Sequence, residues 1–283
     1  REKKGVFHES LQLGKLDRHA PGVGNRRAEG GEEPGSLPLP PEAAQGVPHF
    51  GKGRGPVLPG EKEQPLALVE NQEVPAGKGR LGRSFLSPEG GLYLSVLWRG
   101  CPAGQLLTVT PLAAVAVCRA IEQTCGAVCG IKWCNDVVLD GKKLCGILTE
   151  SSLRPDGGAE WLVVGIGVNV AQTAFPPDIA DIAASLAMQG YSVSPDALAE
   201  VLLEQLTAMR QALPHPQAWR EEYRRRCVNL GRSVRVLRGD ASRQAAALDV
   251  DQRFGLTVRY ENGETETVRS GEVSVRGLYG YIE

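Results

Sequence analysis

Apolar and polar positions alternate along Leu92–Trp98, which predicts a β-strand. Tyr93, Ser95 and Leu97 point to one face, and Leu92, Leu94, Val96 and Trp98 to the other. Leu66–Glu70 reads as a shorter strand before it. Thr110-Pro111 has the form of an N-cap and first helical residue, and Leu112, Val115, Ala116, Arg119, Ile121 and Glu122 carry the helical period to Gly126. Ile131–Leu139 and Lys142–Glu150 read as two strands joined by Asp140-Gly141, a two-residue turn that specifies a hairpin. Leu162–Val170 is a further strand. Ser194-Pro195 opens a second helix, whose apolar stripe is Leu198, Val201, Leu202, Leu206, Met209 and Leu213. Beyond Pro214–Arg226 the pattern changes to short strands: Ser233–Leu237, Ala245–Asp249, Leu256–Tyr260, Glu264–Arg269 and Glu272–Arg276, with an Asn262-Gly263 turn among them. Helices and strands mix without regular βαβ alternation. The expected class is α+β: a mixed sheet flanked by helices, followed by a small β-barrel.

Residues 1–60 have a different texture. Gly and Pro fill 20 of these positions, and no strand or helix period runs through them. Such a stretch buries too little surface to offset its ordering entropy. It reads as a disordered tail or as a segment foreign to the functional fold, for example through a shifted reading frame upstream. The expected divisions are residues 1–64, a Gly/Pro-rich segment; 65–226, a catalytic domain; and 227–283, a carboxyl-terminal β-domain.

Composition narrows the function. The 283 residues carry 32 basic and 33 acidic side chains, net −1, so the whole surface is no polyanion binder. No uninterrupted apolar run reaches the ~18–20 residues of a membrane span, and no secretory h-region follows the basic start. Seven cysteines without framework spacing suggest reduced thiols and a cytoplasmic setting. The four histidines lie outside the motif-bearing middle, which argues against zinc and against His-assisted nucleophiles there.

The chemistry gathers in four stretches. Gly77-Lys78-Gly79-Arg80-Leu81-Gly82-Arg83 is a flexible loop with three cations, suited to phosphate or carboxylate. It lacks the Gly-Lys-Ser/Thr of a P-loop. Lys132-Trp133-Cys134-Asn135-Asp136 crowds two charges and an amide into five residues. Gly141–Glu150 contains Lys143, and the hairpin register pairs Leu139 with Lys142 and Val138 with Lys143. Asp136 then lies on the sheet face of Lys143. That pair is either a reaction centre or an exposed cross-strand ion pair worth ~0–1 kcal/mol. Gly165-Ile166-Gly167-Val168-Asn169 sits on a strand with no helix after it, so it is not a dinucleotide fingerprint. Its glycines suit close approach by a ligand, and Asn169 either reads a base edge or bonds its own backbone.

Taken in order, these stretches and the closing Ser270-Gly271-Glu272-Val273-Ser274-Val275-Arg276-Gly277 resemble the biotin–protein ligase family over about residues 65–283. The resemblance implies a class II synthetase-like α+β catalytic domain and an SH3-like terminal barrel. It implies that biotin and ATP with Mg²⁺ form biotinyl-5′-AMP, which passes biotin to a lysine of a biotin carboxyl carrier protein or domain of a biotin-dependent carboxylase. By resemblance Lys78, Gly79, Arg80 and Lys143 hold biotin, with Gln72 the nearest glutamine to the ureido-binding position. Arg83, Lys132, Asn135 and Asn169 serve the nucleotide. Arg80, Lys143 and Asp136 are the catalytic candidates, with Asp136 orienting or deprotonating the carrier lysine, and no protein-bound metal is expected. Three departures stand out. No Ser/Thr-Thr-Asn segment precedes the loop, Val74 occupies the usual glutamine position, and Cys134 stands where proline is usual. A truncated or frame-shifted homologue without turnover, binding the carrier weakly, is the alternative. The expected chain is a monomer or homodimer that binds neither DNA nor membrane.

Overall fold

The computed structural model describes residues 86–239 and 241–269 in full, with the backbone alone of five short strands outside them or at their edge. These are β1 (Gln12–Leu13), β2 (Leu66–Glu70), β3 (Gly77–Lys78), β4 (Ser84–Phe85) and the last strand, Ser274–Gly277. Gln72, Gly79, Arg80, Arg83 and most of residues 1–65 lie outside the described residues, and Lys78 is described by backbone alone.

The main sheet is built on β5 (Leu92–Cys101), β6 (Gly130–Lys132), β7 (Asp136–Leu139), β8 (Lys142–Leu153) and β9 (Ala159–Val168). Its strand order is β2-β5-β9-β8-β7-β6, all antiparallel, and β1 adds a parallel pairing to the far end of β8. One parallel pairing beside antiparallel ladders makes the sheet mixed. The Asp140-Gly141 turn forms as expected, with both residues at positive φ and Leu139 opposite Lys142.

The face bearing Leu94, Val96, Val164, Ile166 and Ile147 is covered by α1 (Ala103–Cys125). This helix starts two turns earlier than Thr110-Pro111 predicts, and Pro111 lies inside it. Burial of Leu106 and Val109 holds the preceding turns against the sheet, so packing overrides the local start signal. Gly126 ends it at φ 78° and donates its N–H to Glu122. The helix has the length and mean hydropathy (1.5) of a membrane span although no unbroken apolar run in it is that long. Its apolar window is 78% buried within the protein, which marks it as a core helix.

The second helix, α2 (Pro195–Ala212), begins as predicted with the Ser194 hydroxyl accepting from the Ala197 N–H. It buries Leu198, Leu202, Leu206 and Met209 against α1, while Val201 is only half-buried. A third helix, α3 (Gln217–Arg226), was not anticipated. Only Trp219 and Tyr223 of its ten residues are buried, so no apolar stripe announces it. Charge fixes it instead: Glu222 bonds Arg119 of α1 at 2.6 Å and Arg226 at 2.9 Å, and Arg226 reaches Glu122.

The carboxyl-terminal strands are β10 (Ser233–Arg238), β11 (Ala241–Val250), β12 (Leu256–Tyr260), β13 (Thr265–Val268) and β14 (Ser274–Gly277). All pair antiparallel in the order β13-β12-β11-β10-β14. Among the described residues this ladder is open, with β13 and β14 at its edges, where a closed barrel was expected. All seven cysteines are free thiols.

Candidate functional site

Residues 131–139 do not form one continuous strand. A turn at Trp133–Asn135, whose Trp133–Cys134 peptide bond is cis, folds β6 back on β7, so Lys132 pairs directly with Asp136. A bulge between Val137 and Val138 then shifts the register, leaving Val138 opposite Lys143 and Asp136 opposite Gly146. One row of paired residues therefore crosses five strands: Lys132, Asp136, Gly146, Gly167 and Tyr93. The next row on the same face is Leu148, Gly165 and Ser95. This is the face away from α1. Three glycines leave its centre without side chains, a bare floor against which a ligand can lie.

The cations stand at one end of that floor. Lys143 Nζ is 2.5 Å from Asp136 Oδ1, and Lys132 Nζ is 3.9 Å from Asp136 Oδ2. Lys132, Asp136 and Lys143 are 2%, 1% and 7% exposed, which excludes the solvent-exposed ion pair that the hairpin alone allowed. Charges are buried this deeply only when paired.

The surrounding backbone fixes Lys143. Its N–H donates to Ile182 O and its carbonyl accepts from Ala184 N–H. The same loop is tied to Asn169, whose Nδ2 donates to Ala184 O at 3.0 Å and whose carbonyl accepts from Leu186. The amide bond is therefore neither to its own backbone nor to a ligand but across to the loop that carries Ala184. Asn135 likewise donates across the sheet to Ile147 O at 2.7 Å. Tyr93 closes the far end, donating to Pro88 O at 2.7 Å and accepting from Gln172 Nε2 at 3.3 Å. Burial pushes its phenol well above the ordinary range, more than the Gln172 contact lowers it, so it stays a donor.

The second half of the chain braces the turn. Asn229 Oδ1 accepts from Trp133 N–H at 2.6 Å, Phe254 O accepts from the Trp133 indole at 2.8 Å, and the Tyr223 hydroxyl donates to Cys134 O at 3.0 Å. Tyr223 also meets Phe254 edge to face at 5.2 Å. Sequence reasoning missed these three residues. The closely spaced Trp219 and Tyr223 hint that one side of α3 packs, but nothing local ties it to Trp133. A shallow cleft lined by Leu107, Pro111, Arg253 and Arg269 lies at this seam and holds none of the charged trio.

Known proteins resemble this chain in sequence and in fold. A model of the biotin/lipoate A/B protein ligase family matches residues 60–169. A biotin–[acetyl-CoA-carboxylase] ligase of Paracoccus denitrificans is 30% identical over 227 residues, covering 75% of this chain and 91% of that protein. The corresponding ligase of Mycobacterium tuberculosis is 32% identical over 230 residues, covering 74% and 77%. The chain belongs to the biotin–protein ligase family. Against the bifunctional ligase/repressor BirA of Bacillus subtilis it is 42% identical over 123 residues, but spans only 38% of that protein's length. The biotin protein ligase of Aquifex aeolicus, solved in complex with biotin and ATP, superposes with a TM-score of 0.65 at 28% identity, covering 75% of this chain and 88% of that one.

Among the described residues no three His, Cys, Asp or Glu side chains converge to hold an ion.

Proposed function

We propose that this chain is a biotin–[biotin carboxyl-carrier protein] ligase. In the first step a biotin carboxylate oxygen attacks the α-phosphorus of ATP and the bond to pyrophosphate breaks. In the second the neutral amine of a carrier lysine attacks the acyl carbon, loses a proton and expels AMP. The first step brings two anions together, so it needs cations already in place. Buried Lys143 beside a bare glycine floor is the observation that carries the reading.

Lys143 neutralises the carboxylate, and Lys132 stands behind it for the phosphates. Both Asp136 oxygens face ammonium groups, which favours orienting the two lysines over taking a proton from the carrier amine. Asn135 and Asn169 shape the nucleotide end through their backbone bonds. Lys78, Gly79, Arg80 and Arg83 complete the anion cradle, and Gln72 serves the biotin side. In this reading residues 65–226 form the catalytic domain, and 227–283 form the carboxyl-terminal domain, which helps to receive the carrier. Residues 1–60 lack a helical period, so the ligase role is proposed without a DNA-binding one. A cytoplasmic setting follows from the free thiols and from the carrier.

Pyrophosphate release from the full chain with biotin, ATP and Mg²⁺ tests the proposal. Release that Lys143→Ala abolishes supports it. A chain that binds a carrier domain but releases nothing is the inactive homologue instead.

A further inference from the structure

Ser95 lies on the floor of the site yet takes no part in holding the fold. Its strand neighbours across the sheet are Gly165 and Leu68, and beyond Gly165 comes Leu148. It is 5% exposed, and its Oγ is buried without a hydrogen-bond partner. Buried hydroxyls are nearly always bonded, so an unspent one facing a ligand surface points to a partner that arrives with the ligand. A Cβ built on Gly165 would meet nothing among the described residues nearer than Leu148 O at 3.5 Å.

The position of Ser95 relative to the charged trio sets the ligand's shape. From Asp136, which touches Lys143, Ser95 lies three strands across and two residues along, roughly 16 Å. With one hydrogen bond at each end, that gap suits a molecule with a carboxylate on a short flexible chain and a polar ring at the other end.

Resting on the biotin reading above, we propose that Ser95 Oγ hydrogen-bonds the ureido group of biotin while the carboxylate meets Lys143. The ureido group offers N–H donors and a carbonyl acceptor, either of which satisfies a hydroxyl. The ring thioether is a weak acceptor and would leave Ser95 poorly paired.

The test is direct binding to the full chain, without ATP, of biotin and of desthiobiotin, which keeps the ureido group and lacks the sulfur. Ser95→Ala is expected to weaken both about tenfold, the loss of one buried hydrogen bond. Its apo melting temperature should equal or exceed that of the unmodified chain, because the hydroxyl has no partner to lose. Unchanged biotin affinity overturns the proposal. So does a loss confined to biotin, which would assign Ser95 to the sulfur, or a drop in apo stability, which would make it structural. A wild-type chain that binds no biotin overturns this proposal and the site reading together. One that binds biotin through Ser95 but releases no pyrophosphate defeats only the ligase reaction.

Discussion

The two ends of the site are built on opposite terms. At the charged end Asp136 pairs with both Lys132 and Lys143, and the segments around them are bonded to the loop at 182–184 and to Asn229, Tyr223 and Phe254. At the floor end glycines replace side chains, and the Ser95 hydroxyl is left unpaired. Electrostatics explains the contrast. An uncompensated buried charge costs several kcal/mol, so the ionic end must be complete before any ligand arrives. An unpaired hydroxyl costs much less, so a neutral contact can wait for its partner.

Asp136→Ala should give the largest effect. It leaves two ammonium groups without their carboxylate, with an expected loss of ~3–5 kcal/mol in urea denaturation and no pyrophosphate release. Stability within 1 kcal/mol of wild type would mean that the two ends are not built differently after all. Gly165→Val should do the reverse. The room around Gly165 lets the sheet keep its melting temperature, while a branched side chain on the floor should raise the biotin Kd about tenfold or more.

Tyr223→Phe sharpens the picture by weakening the brace without touching the floor. Losing the bond to Cys134 O should cost ~1–2 kcal/mol and lower kcat, with the KM for biotin unchanged. An equal change in KM would show that the brace also shapes the floor. The smallest effect concerns acid. Burial raises the Asp251 carboxyl, but Arg269 and the N–H groups of Gly255 and Arg253 outweigh it and hold it below the usual range. Its folded pKa is depressed, so the stability it contributes is present above the unfolded value of about 3.9 and is lost as pH falls through the folded one. Asp251 organises the turn that offers Phe254 O to Trp133. Asp251→Asn should therefore flatten the acid limb of a urea-midpoint profile below about pH 4, modestly, since the ion pair is partly exposed and salt screens it.

Much of this was legible in the chain. Asp140-Gly141 fixed the hairpin register and brought Lys143 to Asp136, because a two-residue turn leaves little freedom. Ser194-Pro195 marked a helix start for an equally local reason. Thr110-Pro111 carried a similar signal and misled, because burial of the preceding turns outweighed it. The reversal at Trp133–Asn135 was hidden, since Lys132 and Asp136 look like positions on one strand until Asn229, ninety-six residues away, accepts the Trp133 N–H. The bulge that sets Asp136 opposite Gly146 left no mark either. Ser95 could be placed on its face from alternation alone, but whether its hydroxyl had a partner depended on every neighbour at once.

The bracing of Trp133 has a consequence for anyone building chimeras. Tyr223 precedes the compositional boundary near residue 226, Asn229 follows it, and both grip the same turn. A graft spliced at that boundary would import a foreign residue opposite Trp133 and a foreign carbonyl in place of Phe254 O. A cut before Gln217 fares no better, because it also separates Glu222 from Arg119 and Arg226 from Glu122.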